Sequence, residues 1–293
     1  MVSLMLKKKL RTILEQSGNP CAAFETDQIM KWAVEFDRLT FAPNVEIDPL
    51  KAEKAIDAAK RRVKGEPLQY ILGEWDFYGF TFHVGEGVLI PRPETELLTE
   101  KAISVLKEMT GEGFSRRGTV IDLCSGSGCI PIAVAKKSGA RCCGIEISEK
   151  ALEYFKENII LNETEDKVTA LLGNVLEPDG ELLEKLPEKC DIITANPPYL
   201  TAREMGELQK EVRHEPEIAL FGGQDGLDFY RVIFGRWKER LSEKGEFIVE
   251  TGDGQAEAVK SLMEKEGFCC GIIKDYNMLG RIVFGKLAHA AVQ

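Results

Sequence analysis

At 293 residues, 44% of them hydrophobic, the chain is long enough for one large domain and one small one around a sizeable core. No apolar run approaches the ~20 residues that span a bilayer, and Met1–Lys9 carries its lysines after its apolar residues, the wrong order for a secretory signal, so a cytoplasmic protein without a membrane partner is expected. The net charge of −10 counts against duplex DNA as the main partner, because phosphate neutralisation supplies most of that affinity.

The charge is uneven. Residues 1–73 hold 12 Lys+Arg against 10 Asp+Glu, and the remainder 26 against 38. The first 73 residues read as helices by apolar spacing: Leu4, Leu6, Leu10, Ile13 and Leu14, then Ile29, Trp32, Ala33 and Phe36, then Ala52, Ala55, Ile56, Ala59 and Val63. Asn19-Pro20, Pro43-Asn44 and Gly65-Glu66-Pro67 punctuate them. From Trp75 to Ile90 the pattern turns aromatic and β-branched, broken by Gly79, Gly85 and Gly87, and reads as a hairpin. The expected organisation is a helical domain over 1–73, a hairpin linker over 74–90 and a larger domain over 91–293.

In that larger domain short apolar runs alternate with helical segments: Thr119–Leu123, Cys142–Ile147, Val168–Leu172, Asp191–Ala195, Phe247–Glu250, Cys269–Ile273 and Arg281–Phe284. Such alternation predicts an α/β, Rossmann-like, mostly parallel sheet whose ligands bind at the carboxyl ends of the strands. The eight cysteines include no CxxC pair and several lie inside apolar runs, so buried free thiols are expected. Neither their spacing nor the three histidines suit a zinc site.

The first strand runs into Asp122-Leu123-Cys124-Ser125-Gly126-Ser127-Gly128, where glycine lets the backbone approach a ligand. A dinucleotide fingerprint would need a third small residue at 131, which is Pro131. Glu146 ends the next strand, 24 residues after Asp122, where a carboxylate can accept from both hydroxyls of a ribose. At the end of the third strand, Asn174 and Val175 could meet an adenine edge, though Asn after Gly is also a common turn.

The most specific signal is Asn196-Pro197-Pro198-Tyr199 at the end of the fourth strand. An amide or exocyclic amine is a poor nucleophile, because its lone pair is delocalised, and must be held in line with an electrophilic methyl. The Asn196 side-chain oxygen and the Pro197 carbonyl can accept the two N–H bonds of such a group, the prolines stiffen the loop, and Tyr199 can pack on the flat acceptor. The plain alternative is a rigid turn closing a strand.

With these residues in view the chain resembles the release factor glutamine methyltransferase family: Gly65-Glu66-Pro67-Leu68-Gln69-Tyr70, Ile90-Pro91-Arg92-Pro93-Glu94-Thr95-Glu96, the glycine loop, the Asn196 tetrad, and Glu215-Pro216 leading to Gly222-Gly223. The resemblance implies a seven-stranded methyltransferase sheet, an N-terminal helical substrate-recognition domain, S-adenosylmethionine as cofactor, and N5 methylation of the glutamine in a Gly-Gly-Gln motif of peptide chain release factors. It also implies that Cys124, Ser125, Gly126, Ser127 and Gly128 cradle the methionine part of the cofactor, Glu146 the ribose and Asn174 with Val175 the adenine. Asn196, Pro197, Pro198 and Tyr199 would hold the substrate amide, with Asn196, Pro197 and Tyr199 catalytic.

Two positions depart from that pattern: Cys124, where glycine is usual, suggests a negative φ, and Asn174 stands where aspartate is common. Gly222-Gly223-Gln224 spells the substrate tripeptide and reads as a turn before an Asp225–Leu241 helix. Arg61, Arg62 and Lys64 read as a solvated helix face, or as a docking patch for the factor. A monomer with no direct nucleic-acid partner is expected. The rival functions are adenine-N6 methylation of DNA or RNA by base flipping and a non-catalytic nucleoside sensor.

Overall fold

The computed structural model describes residues 1–35, 44–110 and 118–288; the expectations placed on Phe36 and Pro43 fall outside them. The chain divides into two compact units, one of Met1–Glu74 with Gln209–His214, the other of Trp75–Leu208 with the chain from Glu215 onward. The sequence pattern predicts 209–214 within the larger domain and 74–90 as a hairpin linker. An ion pair from Arg62 to Glu211 at 2.8 Å holds 209–214 to the helices, a partner 149 positions away that no local pattern reveals.

In the helical unit, α1 (Ser3–Gln16) buries Leu6, Leu10 and Leu14, one residue per turn on a single stripe. Helix α2 (Ala22–Val34) buries Ile29, Met30 and Ala33. Helix α3 (Pro49–Val63) is started by Asp48, whose carboxylate accepts from the amides of Leu50 and Lys51, with Pro49 in the first turn. Its buried face is Ala52, Ala55, Ala58 and Ala59, small side chains that allow a close approach. Helix α4 (Leu68–Leu72) closes the unit at Gly73. Arg61 pairs with Glu66, and Arg62, its side chain 14% exposed, with Glu25 as well as Glu211. Arg62 is therefore committed to intramolecular partners, whereas Arg61, its side chain 40% exposed, and the exposed Lys64 keep a solvated face.

The second unit opens with a hairpin, β1 (Glu74–Phe77) and β2 (Phe80–His83), turned at Tyr78-Gly79 with positive φ at both. There follow α5 (Thr95–Thr110), β3 (Thr119–Leu123), α6 (Cys129–Ser138), β4 (Arg141–Glu146), α7 (Glu149–Leu161), β5 (Val168–Leu172), α8 (Gly180–Lys185), β6 (Cys190–Ala195), α9 (Ala202–Gly206), α10 (Asp228–Trp237), β7 (Leu241–Glu250), α11 (Ala256–Lys265), β8 (Phe268–Lys274) and β9 (Gly280–Leu287).

The seven strands β3–β9 order as β5-β4-β3-β6-β7-β9-β8, parallel from β5 to β7 and antiparallel where β9 joins β7 and β8. One face packs Leu98, Ala102, Val134 and Phe155 against the sheet, the other Tyr230, Phe234, Trp237 and Met263. Burying each large side chain contributes roughly 1.5–3 kcal/mol. All six residues of the central strand β6 are buried, as expected with helices on both faces.

Register sets the site. Leu123 lies level with Ile145 on β4 and Ala195 on β6, and Ala195 with Val249 on β7. The next residues, Cys124, Glu146, Asn196 and Glu250, therefore sit at one height along the carboxyl edge, where the strand order reverses between β3 and β6. All eight cysteines are free; Cys129, Cys142 and Cys190 are buried as expected, but Cys21 and Cys269 are exposed. No helix among the described residues is long and apolar enough to cross a membrane.

Candidate active site

The loop after β3 curls tightly, with φ of +61° at Cys124, +54° at Gly126 and +79° at Gly128. The negative φ expected at Cys124 is therefore wrong: cysteine here occupies the left-handed region at a cost of about 1–2 kcal/mol. The surroundings impose it. Ser125 N–H donates to the Ile145 carbonyl at 3.0 Å, Gly128 N–H to the Ser125 carbonyl at 2.8 Å, and Gly126 N–H to Glu146 Oε2 at 2.7 Å. At Gly128 a Cβ would stand 2.0 Å from the Phe155 ring, so this glycine serves the packing of α6 on α7. Fully buried Asn158 accepts from His83 N–H and donates to the carbonyls of His83 and Ser127, tying hairpin, loop and α7 together.

Beneath the loop lies Asp122, buried and accepting from Ser125 Oγ and Thr194 Oγ1, both at 2.6 Å. Burial pushes its carboxyl up to about 7 against those two hydroxyls. Glu146, 8% exposed, accepts from Gly126 N–H through one oxygen and from Ser148 N–H at 2.8 Å through the other, which leaves each oxygen capacity for a further bond. Burial raises its pKa and the backbone donors oppose it. The Asn174 side-chain oxygen accepts from Leu176 N–H at 2.9 Å, so it makes the turn foreseen as the alternative. The neighbouring Val175 carbonyl is held by Trp237 Nε1 at 2.9 Å.

After β6, Asn196 donates from Nδ2 to Thr95 Oγ1 at 3.2 Å, and its Oδ1 is buried without a partner. Such an acceptor costs about 1–3 kcal/mol to leave unpaired. Pro197 and Pro198 are buried, and the Tyr199 carbonyl accepts from Gln255 Nε2 at 2.9 Å. Burial raises the Tyr199 phenol. Gly222 packs where a Cβ would lie 2.6 Å from the Pro198 carbonyl oxygen, and Gly223 packs against the Asp228 carboxylate, so of the two glycines it is Gly222 that supports the tetrad. The helix beyond them spans Asp228–Trp237 rather than Asp225–Leu241, because the Asp225 carboxylate takes Leu227 N–H and Arg231 outside it.

One cavity of about 250 Å³ joins these groups. Cys124–Ser127, Glu146, Asn174, Val175, Asn196 and Pro198 line it; Gly128, Pro197 and Tyr199 do not. Sequence reasoning missed Thr95, Ile218 and Phe229 in its wall, and Arg92, left unassigned, lies there too and pairs with buried Glu215. The other Glu215 oxygen takes Ile90 N–H at 3.0 Å. Thr95 donates to Glu250 Oε2 at 2.6 Å, and burial pushes Glu250 up to about 7. Thr95 and Arg92 stand inside the Pro-Arg-Pro-Glu-Thr-Glu motif, the one signal that could have found them.

Asp122 and Glu250 also predict how stability responds to pH. Their folded values are raised above the unfolded ones, so the stability they contribute is full below about pH 4 and is lost as pH rises through about 7. Glu66 beside Arg61 and Glu211 beside Arg62 are lowered and act in the opposite sense, but below about pH 4.5. The Tm of the ligand-free protein should thus fall by several degrees between about pH 5.5 and 8, and Asp122→Asn should flatten the slope. Calorimetry showing a Tm that rises across this window would contradict the burial argument.

Residues 6–73 match the PrmC N-terminal domain family and residues 106–205 the TRM5/TYW2 methyltransferase domain family. A Thermodesulfovibrio yellowstonii protein named release factor glutamine methyltransferase is 38% identical, over 88% of this chain and 90% of its own. One from Geobacter sulfurreducens with the same name is 36% identical over 94% of each. Among solved structures, the hMettl16 catalytic domain in complex with a MAT2A 3′UTR hairpin matches with TM-score 0.55 at 14% identity over 91% of each chain. A T. thermophilus 16S rRNA methyltransferase in complex with AdoMet and guanosine gives 0.51 at 21% identity, over 73% of this chain and 50% of that one. At these identities the two structures share the fold alone.

Proposed function

The chain belongs to the release factor glutamine methyltransferase family, and from that membership we propose how its residues divide the reaction. The protein is an S-adenosylmethionine-dependent methyltransferase acting on the side-chain amide nitrogen, N5, of a release factor glutamine set in Gly-Gly-Gln. When bound, S-adenosylmethionine supplies a methyl group on a positively charged sulfur.

The observation that carries the reading is the buried, unpartnered Oδ1 of Asn196 in the cavity wall. It can accept one N–H of a substrate amide, orienting the nitrogen and supporting positive charge as its lone pair is used; the Pro197 carbonyl, just outside the cavity lining, is the proposed acceptor of the other N–H. Methylation of the nitrogen releases one of its protons. Tyr199, behind the cavity wall, braces this acceptor pair. Glu146 can take the ribose hydroxyls, residues 124–127 the methionine end, and Asn174 with Val175 the adenine, Asn174 through its amide N–H or the second lone pair of its oxygen.

The test is transfer of labelled methyl from S-adenosylmethionine to a purified release factor, mass-mapped to the glutamine, with DNA and RNA offered in parallel. Labelling of nucleic acid in place of the factor would overturn the assignment. A cavity of this size admits a side chain and little else, so recognition of the factor falls to a wider surface, and the helical unit is the proposed supplier. The full-length enzyme should then methylate a short Gly-Gly-Gln peptide with a kcat/KM on the order of 100-fold below that for the whole factor, since remote binding energy is absent. Equal values would place recognition in the cavity.

A further inference from the structure

We propose that Thr95 and Glu250 are positioning residues that decide which end of the Asn196 amide faces the substrate, resting on Asn196 as the acceptor for the glutamine N–H. An amide side chain is almost symmetric in shape, but its ends are chemical opposites. Flipped, Asn196 would present its own NH2 to the NH2 of the substrate, donor against donor, and hold nothing. A hydroxyl by itself does not settle the matter, because it donates as readily as it accepts.

Glu250 settles it. The register of β6 on β7 places it level with Asn196, and its buried carboxylate, in the ionised form that prevails above about pH 7, accepts the single Thr95 hydroxyl hydrogen at 2.6 Å. The Thr95 oxygen then has only lone pairs left for Asn196, so only Nδ2 can face it, as found at 3.2 Å. Oδ1 is left on the remaining side, buried and unpaired. The chain of bonds thus has one polarity, from carboxylate through hydroxyl and amide to an acceptor that points onward. Thr95 is a firm relay: it opens α5, is 2% exposed, and its N–H is held by the Arg92 carbonyl at 3.1 Å. Neither Thr95 nor Glu250 needs to touch the substrate.

Thr95→Val keeps the shape and removes the hydroxyl. With release factor as substrate, kcat should fall on the order of 10-fold or more, as for partners that orient a functional side chain, while KM and the Kd for S-adenosylmethionine stay within about two-fold. Thr95→Ser restores the hydroxyl and should recover kcat to within about three-fold. Glu250→Gln can both donate and accept, so it should lower kcat and spare cofactor affinity. A Thr95→Val enzyme that melts earlier yet turns over at the wild-type kcat would show a merely structural role and overturn the proposal. So would a Thr95→Ser enzyme as slow as Thr95→Val. Full activity in Glu250→Gln would remove the carboxylate from it. Absence of factor methylation by the wild-type enzyme, run alongside, would instead sink the reading of Asn196 beneath it.

Discussion

Asn196→Ala is expected to leave S-adenosylmethionine binding intact and to lower kcat for release factor methylation by about 100-fold or more. The substitution deletes a buried side-chain acceptor that lacks a partner among the described residues and leaves the 124–128 loop, with its bonds to Ile145 and Glu146, untouched. What is lost acts mainly as charge develops on the nitrogen, so the deficit belongs in kcat more than in KM. Thr95 loses its Asn196 bond but keeps its stronger one to Glu250. Single-turnover transfer and calorimetry on the same preparation measure the two quantities separately. Turnover near the wild-type rate would remove the tetrad from the chemistry.

Glu146→Ala should weaken S-adenosylmethionine binding by about 2 kcal/mol, close to 30-fold. Two losses combine. A charged acceptor for the ribose hydroxyls disappears, and so do the clasps on Gly126 N–H and Ser148 N–H, which hold the loop in its strained left-handed path before any ligand arrives. Titration calorimetry on the variant is the measurement. An unchanged affinity would move the ribose site elsewhere.

Much of the sheet was legible in the sequence, because a strand covered on both faces is a continuous apolar run. Asp191–Ala195 was expected and Cys190–Ala195 found; Cys142–Ile147 was expected and Arg141–Glu146 found. Strand β7 was foreseen only from Phe247, yet begins at Leu241, since Ser242-Glu243-Lys244-Gly245 hides the extension behind polar residues at a register shift against Cys190 and Ile192. The glycine loop, Glu146 and the Asn196 tetrad were legible because strand ends punctuate them. The conformation of Cys124 was not: residue type alone argued for negative φ, and bonds to β4 decided otherwise. Nor was the pairing of Thr95 with Glu250, 155 positions apart, or of Arg92 with Glu215, 123 apart. Local pattern carries periodicity and turn chemistry, whereas a hydrogen bond between distant elements exists only once the register is known.

That shared register also governs how the protein is made and lost. Cys124, Glu146, Asn196 and Glu250 belong to four strand ends whose pairings are parallel and non-local, the slow class of contact in folding. The cavity is lined from the ends of β3, β4, β5 and β6, so the cofactor site forms only once those strands have paired. Once bound, the cofactor favours the native state by mass action, by about 2.7 kcal/mol at a hundred times its Kd. The ligand thus deepens the stability of a sheet whose four central strand ends have already met.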